Sequence, residues 1–424
     1  MRNMFKSLVL LAILATTLAL PAQNIETVKA RYDNYKVYRV IPTTKEQIKK
    51  LYEIEESGVG ISFWRDPTHA GRPADILVPP HLIPQAHNVM NSLGLEYEII
   101  IQDVQKLIDE VHPKTRQASG GMDWNDYHRL DEIYAWLDDL AAQNPDRVSI
   151  VIGGSTYEGR DIKGVKYTAG GQNKPIIFMD AGIHAREWIS PAVQTYILNQ
   201  VINSQDPSLR ELVDAFDWYF FPVINPDGYE YSHESDRMWR KTRGPGNLFC
   251  KGTDANRNWG FQWSSAGASD NPCSETYHGS GPFSETETKT LSDFISTMGN
   301  DLVMYISLHS FSQLILFPYG YTDEHLPDYD NMLTVGNRAA DALATRYGTQ
   351  FVCGNIVETL YVASGSNLDW VKGNFNTPLT YVFELRDQGN YGFILPPDQI
   401  IPSGEEMVDA MMSLLKDAKT YRRI

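Results

Sequence analysis

The amino-acid sequence predicts a mixed α/β protein: a largely parallel central sheet with helices on both faces, preceded by a small α+β unit with an open antiparallel sheet. Three observations carry this. From residue 122 onward, amphipathic helical stretches alternate with short, wholly apolar runs, the pattern of strands buried on both faces. Residues 36–112 instead show strand-like and helix-like segments in a compact α/β order, with a polar stretch closing them. The composition, 42% hydrophobic and 21% charged over 424 residues, belongs to globular chains and leaves room for more than one domain.

In the first unit, residues 36–41, 61–64, 74–78 and 97–101 read as strands. Residues 44–55 have helical spacing, with Thr43 or Thr44 able to cap them, and 80–93 and 103–111 suggest two further helices. Residues 112–121 are polar, small and partly basic, a plain linker or a place for proteases to cut; Arg116, just before a Gly/Ser stretch, suits a trypsin-like enzyme. In the second unit, helices are expected at 128–143, 191–203, 286–298 and 404–421. Strands are expected at 148–152, 162–167, 176–181, 218–223, 302–308 and 379–383. Sheets of this kind bind ligands beyond the C-terminal ends of their strands.

At the start, Arg2, Lys6, an apolar run over 8–20 and Ala22 read as a signal peptide, residues 1–22; an N-terminal membrane anchor is the alternative. The run is shorter than the roughly 20 apolar residues of a membrane span. The expected organisation is a signal peptide at 1–22, a first domain with its connecting segment at 23–116, and a second domain at 117–424. A net charge of −16 gives no reason to expect nucleic-acid binding. Secretion permits disulfides, and Cys250, Cys273 and Cys353 allow three pairings; joining the first two would leave Cys353 as a small buried side chain.

The chemistry concentrates at predicted strand ends. The run Ile176-Ile177-Phe178-Met179-Asp180-Ala181 leads into Gly182-Ile183-His184-Ala185-Arg186-Glu187-Trp188. His184 and Glu187, three apart, can reach one metal ion, and catalytic zinc takes three protein ligands with a fourth position open. His309 follows the apolar run 302–308, and a parallel neighbouring strand would set it beside His184. Glu384 lies in or at the end of Tyr381-Val382-Phe383-Glu384-Leu385-Arg386-Asp387, where a carboxylate needs a partner or a task. Arg386 could pair with it, or it could act as a general base. There is no Gly-x-Ser-x-Gly elbow and no His-Glu-x-x-His.

Together with Asn225-Pro226-Asp227-Gly228-Tyr229, Met238-Trp239-Arg240-Lys241-Thr242-Arg243, Asp254-Ala255-Asn256-Arg257-Asn258-Trp259 and Leu360-Tyr361-Val362-Ala363-Ser364-Gly365, these motifs resemble, in order, the zinc carboxypeptidases of the pancreatic A and B type. The resemblance runs from about Tyr38 to the C-terminus. It implies His184, Glu187 and His309 as ligands of one Zn2+, Glu384 as general base and acid, and Arg240 as stabiliser of the oxyanion. It implies Asn256, Arg257 and Tyr361 as the clamp for a terminal carboxylate, Arg186 and Phe311 as subsite residues, and Asp254 as the carboxylate that orients a zinc-bound His. Many members have Tyr where Phe311 stands. Cys250 and Cys273 match the family's disulfide.

The resemblance also places Leu368 at the base of the specificity pocket, with Leu316, Gly320, Ile356, Ala363 and Val382 around it, although Asp369 stands next door. An apolar base implies release of large apolar or aromatic C-terminal residues from peptides and proteins; a basic-specific enzyme and a non-catalytic peptide-binding relative are the alternatives. Residues 36–103, with Phe63-Trp64-Arg65 and Ile101-Gln102-Asp103-Val104, resemble the inhibitory activation domain, which a trypsin-like protease would release by cutting near Arg116. The whole is expected to be a secreted, extracellular monomer, with a digestive lumen as one destination and no membrane or nucleic-acid partner.

Overall fold

The computed structural model describes residues 29–56, 60–111 and 121–421. The proposed signal peptide and Arg116 lie outside them. The first unit holds β1 (Lys36–Val40), α1 (Lys45–Glu56), β2 (Ser62–Arg65), β3 (Ala74–Val78), α2 (Ile83–Ser92), β4 (Tyr97–Ile101) and α3 (Val104–Val111). Its sheet is antiparallel in the order β2-β3-β1-β4. Thr44 caps α1 reciprocally: its hydroxyl accepts from Gln47 N at 3.2 Å, while Gln47 Oε1 accepts from Thr44 N at 3.0 Å. The period of two sorts the strands. Tyr38, Val40, Phe63, Ile76 and Val78 pack with Leu51 of α1 and Met90 of α2. Val37, Trp64, Leu77 and Ile101 pack instead with Met238, Phe311, Phe393 and Ile394 of the second unit.

The second unit opens with α4 (Leu130–Gln143), β5 (Val148–Ser155), β6 (Asp161–Tyr167), β7 (Ile176–Ala181), α5 (Ile189–Asn203), α6 (Pro207–Val213), β8 (Asp217–Phe221) and α7 (Pro226–Glu234). It continues with α8 (Thr286–Ser296), β9 (Leu302–Ser310), β10 (Leu314–Phe317), α9 (Tyr329–Tyr347), β11 (Val352–Asn355), α10 (Ile356–Thr359), α11 (Asn367–Phe375), β12 (Leu379–Leu385) and α12 (Ile400–Tyr421). Eight strands form one sheet in the order β11-β10-β12-β9-β7-β8-β6-β5. The central four, β12-β9-β7-β8, are mutually parallel; β6 and β10 run antiparallel to their central neighbours.

Alternation along the strands separates two cores. Ile177, Met179, Met304, Ile306, Leu308, Tyr381 and Phe383 pack against α4, α5, α9 and α12. Phe178, Tyr305 and Val382 pack on the other face with Leu291 of α8 and Leu368 and Trp370 of α11. Since side chains two apart share a face, Asp180, His309 and Glu384 belong with Phe178, Tyr305 and Val382. All three lie at or near the C-terminal ends of adjacent parallel strands, with Glu384 paired in register with His309. That placement is the reason a site forms there.

Candidate active site

Three donor groups converge at these strand ends. One donor atom each from His184, Glu187 and His309 lies within 4.8 Å of the others, and all three residues are buried. His184 Nδ1 is 2.8 Å from Glu187 Oε1, and His309 Nδ1 is 3.2 Å from Glu187 Oε2. β9 lies beside β7 in parallel register, so the strand-end reading of His309 holds. Burial alone would raise the Glu187 carboxyl, but His184 and His309 beside it prevail and hold it below its ordinary value. Two imidazoles and a carboxylate in a closed pocket are a fitting donor set for Zn2+ with one open position. His184 is further fixed by its second nitrogen: Nε2 lies 3.1 Å from Asp254 Oδ1.

Asp254 is fully buried and does more than orient His184. Its Oδ2 accepts from Arg240 Nη2 at 2.8 Å, and its Oδ1 accepts from Asn256 N at 2.9 Å. Burial would raise this carboxyl, yet Arg240, His184 and Arg257 together hold it well below the carboxylate range. Arg257 is shaped by neighbouring backbone: Nε donates to Gly267 O at 3.0 Å and Nη1 to Asn256 O at 2.9 Å, and Nη2 reaches the Tyr361 hydroxyl at 3.4 Å. Glu384 faces the same cleft; burial pushes its carboxyl up to about 8, His309 and Arg240 opposing and Glu187 assisting. Arg386 does not pair with Glu384. Its guanidinium donates instead to both oxygens of Glu406 on α12, at 2.7 and 2.5 Å, from a position just past the end of β12.

One continuous cleft is lined by His184, Arg186, Glu187, Arg240, Asn256, Arg257, His309, Phe311, Tyr361, Leu368 and Glu384, so nearly every candidate residue meets there. Arg186 lies 3.5 Å from Glu275, with its guanidinium 4.2 Å from the centre of the Phe393 ring. Leu316, Ile356, Ala363 and Val382 line the same cleft with Leu368. Gly320 lies behind it, donating its N–H to both Asp369 oxygens at 3.0 and 2.9 Å, and Tyr321 N donates to Asp369 at 3.1 Å. The neighbouring acid is therefore spent on backbone, and burial pushes it up to about 7. Cys250 and Cys273 form a disulfide with Cα atoms 5.1 Å apart, and Cys353 is a free, partly buried thiol on β11.

The first unit closes the cleft. Trp64, Arg65 and Asp66 line it, and Trp64 meets Phe393 edge-on at 5.5 Å. Burial raises the Asp66 carboxyl, while Arg240, Arg257 and Arg186 pull it down. The sequence reading missed Asp66; an acid placed directly after the buried Phe63-Trp64-Arg65 strand was the available signal. It also missed Ser366 and Leu360 on the cleft wall.

Residues 133–410 match the zinc carboxypeptidase family, and residues 38–111 match the carboxypeptidase activation peptide. The chain belongs to the zinc carboxypeptidase family. It is 44% identical over 412 residues to zinc carboxypeptidase A 1 of Anopheles gambiae, covering 96% of this chain and 94% of that one. It is 40% identical over 399 residues to human carboxypeptidase A1, covering 92% and 94%. Among solved structures, carboxypeptidase A from Helicoverpa armigera superposes with a TM-score of 0.85 at 29% identity, over 93% of this chain and 99% of that chain. This zinc carboxypeptidase is thus a zinc-dependent peptidase carrying an activation peptide, a zymogen with one Zn2+ as cofactor.

Proposed function

We propose that this zymogen, once its activation region at 23–116 is cut near Arg116, releases large apolar or aromatic residues from the C-termini of peptides and proteins. The catalytic domain is then 117–424. The observation that carries this reading is that one cleft joins a polar set and an apolar set. Asn256, Arg257 and Tyr361 line it together with Leu316, Ile356, Ala363, Leu368 and Val382. A guanidinium matches a carboxylate in a bidentate manner, and only a chain end offers one. An apolar side chain gains about 1.5–3 kcal/mol by leaving water for such a pocket. A Lys or Arg would bury an unpaired charge there, since the Asp369 carboxylate is engaged by Gly320 and Tyr321.

His184, Glu187 and His309 would hold Zn2+, which when bound would polarise a carbonyl and lower the pKa of water from about 15.7 towards 7. Glu384 takes a proton from the attacking water as the new C–O bond forms. It returns that proton to the amide nitrogen as the C–N bond breaks. Arg240, held by Asp254, faces the oxygen on which negative charge develops. Arg186, Phe311 and Phe393 contact the residues upstream of the scissile bond. In the zymogen, Asp66 supplies the negative charge to the same arginines that a substrate carboxylate would meet.

The basic start and apolar run over 1–22 support secretion, as does the disulfide. Among the described residues no helix is long and apolar enough to cross a membrane. A-type homologues support the apolar preference. Comparing matched peptides that end in Phe or Arg, before and after trypsin, tests the reading; faster Arg release would refute the pocket assignment.

A further inference from the structure

Asn367, the first residue of α11, is fully buried beside Leu368, and the mechanism leaves it unused. Its backbone N–H donates to Asn256 Oδ1 at 3.1 Å. That bond decides how the Asn256 amide is turned: its acceptor is occupied, so Nδ2 is the group it offers to the cleft. The Asn367 side chain reaches the opposite way. Its Nδ2 donates to the Tyr305 hydroxyl at 3.1 Å and to Ser307 Oγ at 3.2 Å, and lies 3.5 Å from both oxygens of Asp180. Tyr305 and Ser307 each donate in turn to Asp180, which is fully buried.

The network spans three elements. Asp180 stands on β7 four residues before His184, and Ser307 stands opposite it in register on β9, two residues before His309. Asn367 ties the first turn of α11 to both. Among the described residues its Oδ1 is buried without a hydrogen-bond partner, a cost that an apolar residue at this position would avoid. An amide is retained where only its donor side is used.

We propose that Asn367 is a positioning residue for the carboxylate clamp. Gripped by Tyr305, Ser307 and Asp180, it fixes the start of α11 so that its own N–H aims the Asn256 amide at the terminal carboxylate of the substrate. The proposal rests on the reading of Asn256 and Arg257 as that clamp.

The test uses the full-length zymogen after trypsin cleavage, with a peptide ending in Phe as substrate. Two competing inhibitors accompany it, 3-phenylpropionate and its primary amide. Asn367→Ala is expected to raise KM and the inhibition constant of the acid together, by about tenfold or more, with kcat nearly unchanged and one zinc retained per chain. The inhibition constant of the amide should stay where it is. Ser307→Ala, which removes one acceptor of the Asn367 amide with little change in volume, should shift the acid in the same direction by less. A lowered melting temperature or lost zinc with an unchanged acid inhibition constant would mark Asn367 as structural and overturn the proposal. If Asn367→Ala does not fold, an unchanged constant in Ser307→Ala overturns it equally. Should the wild type bind amide as tightly as acid, the clamp itself fails and the proposal falls with it.

Discussion

His184 and Arg240 are held by opposite oxygens of one buried carboxylate: Asp254 Oδ1 lies 3.1 Å from His184 Nε2, and Oδ2 accepts from Arg240 Nη2 at 2.8 Å. The proposed metal ligand and the proposed oxyanion stabiliser are thereby held by the same group. Asp254→Ala should weaken zinc binding by about 10- to 100-fold, read by competition with a chelator. It should also destabilise the protein by about 3–5 kcal/mol, because buried Arg240 loses its hydrogen-bonded partner and keeps only Glu187, at 3.8 Å.

The proposed base, Glu384, can accept a proton only when ionised. Burial pushes its carboxyl up to about 8, and Zn2+ beside it would draw it back toward the ordinary 4.5. The acid limb of kcat/KM should therefore lie between those values, with activity rising as pH rises. Glu384→Gln should lower kcat by about 10²- to 10⁴-fold while zinc content stays the same. A variant retaining the wild-type limb would assign the titration elsewhere.

Much of the fold could be read from apolar runs and helical spacing, because β7, β9 and β12 are buried on both faces and are mostly apolar. The positions of three candidate site residues were legible for the same reason: His184, His309 and Glu384 each stand at or just past the end of an apolar run. The 19-residue α9 escaped, although its buried Met332, Val335, Ala339 and Leu343 follow helical spacing. Its small residues and scattered charges lower the contrast between its faces. Asp180, Tyr305, Ser307 and Asn367 were illegible as a unit, since only the strand register and the approach of α11 bring them together.

The activation region should hold less firmly at high pH. Burial, with Asp66 and Glu275 nearby, pushes Glu55 up to about 8, against a backbone hydrogen bond at Phe63 and the charge of Arg186. A carboxyl whose pKa is raised in the docked state leaves docking strongest below its ordinary value and weakens it as pH climbs toward 8. The zymogen's melting temperature should fall between about pH 5 and about pH 9, and Glu55→Gln should flatten that fall. An identical slope in the variant would remove Glu55 from the explanation.

Leu368→Asp places a carboxylate at the proposed base of the apolar pocket. Release of C-terminal Arg should rise and release of Phe should fall, reversing the ratio of kcat/KM on matched peptides. An unchanged ratio would mean that Leu368 does not meet the terminal side chain.

The most direct test of an apolar-specific zinc carboxypeptidase zymogen is release of C-terminal Phe and Arg from matched peptides, before and after trypsin, with and without a zinc chelator. The expected result is chelator-sensitive release of Phe, much faster than Arg, appearing only after trypsin. Release of Arg faster than Phe, or full activity in the uncut chain, would contradict it.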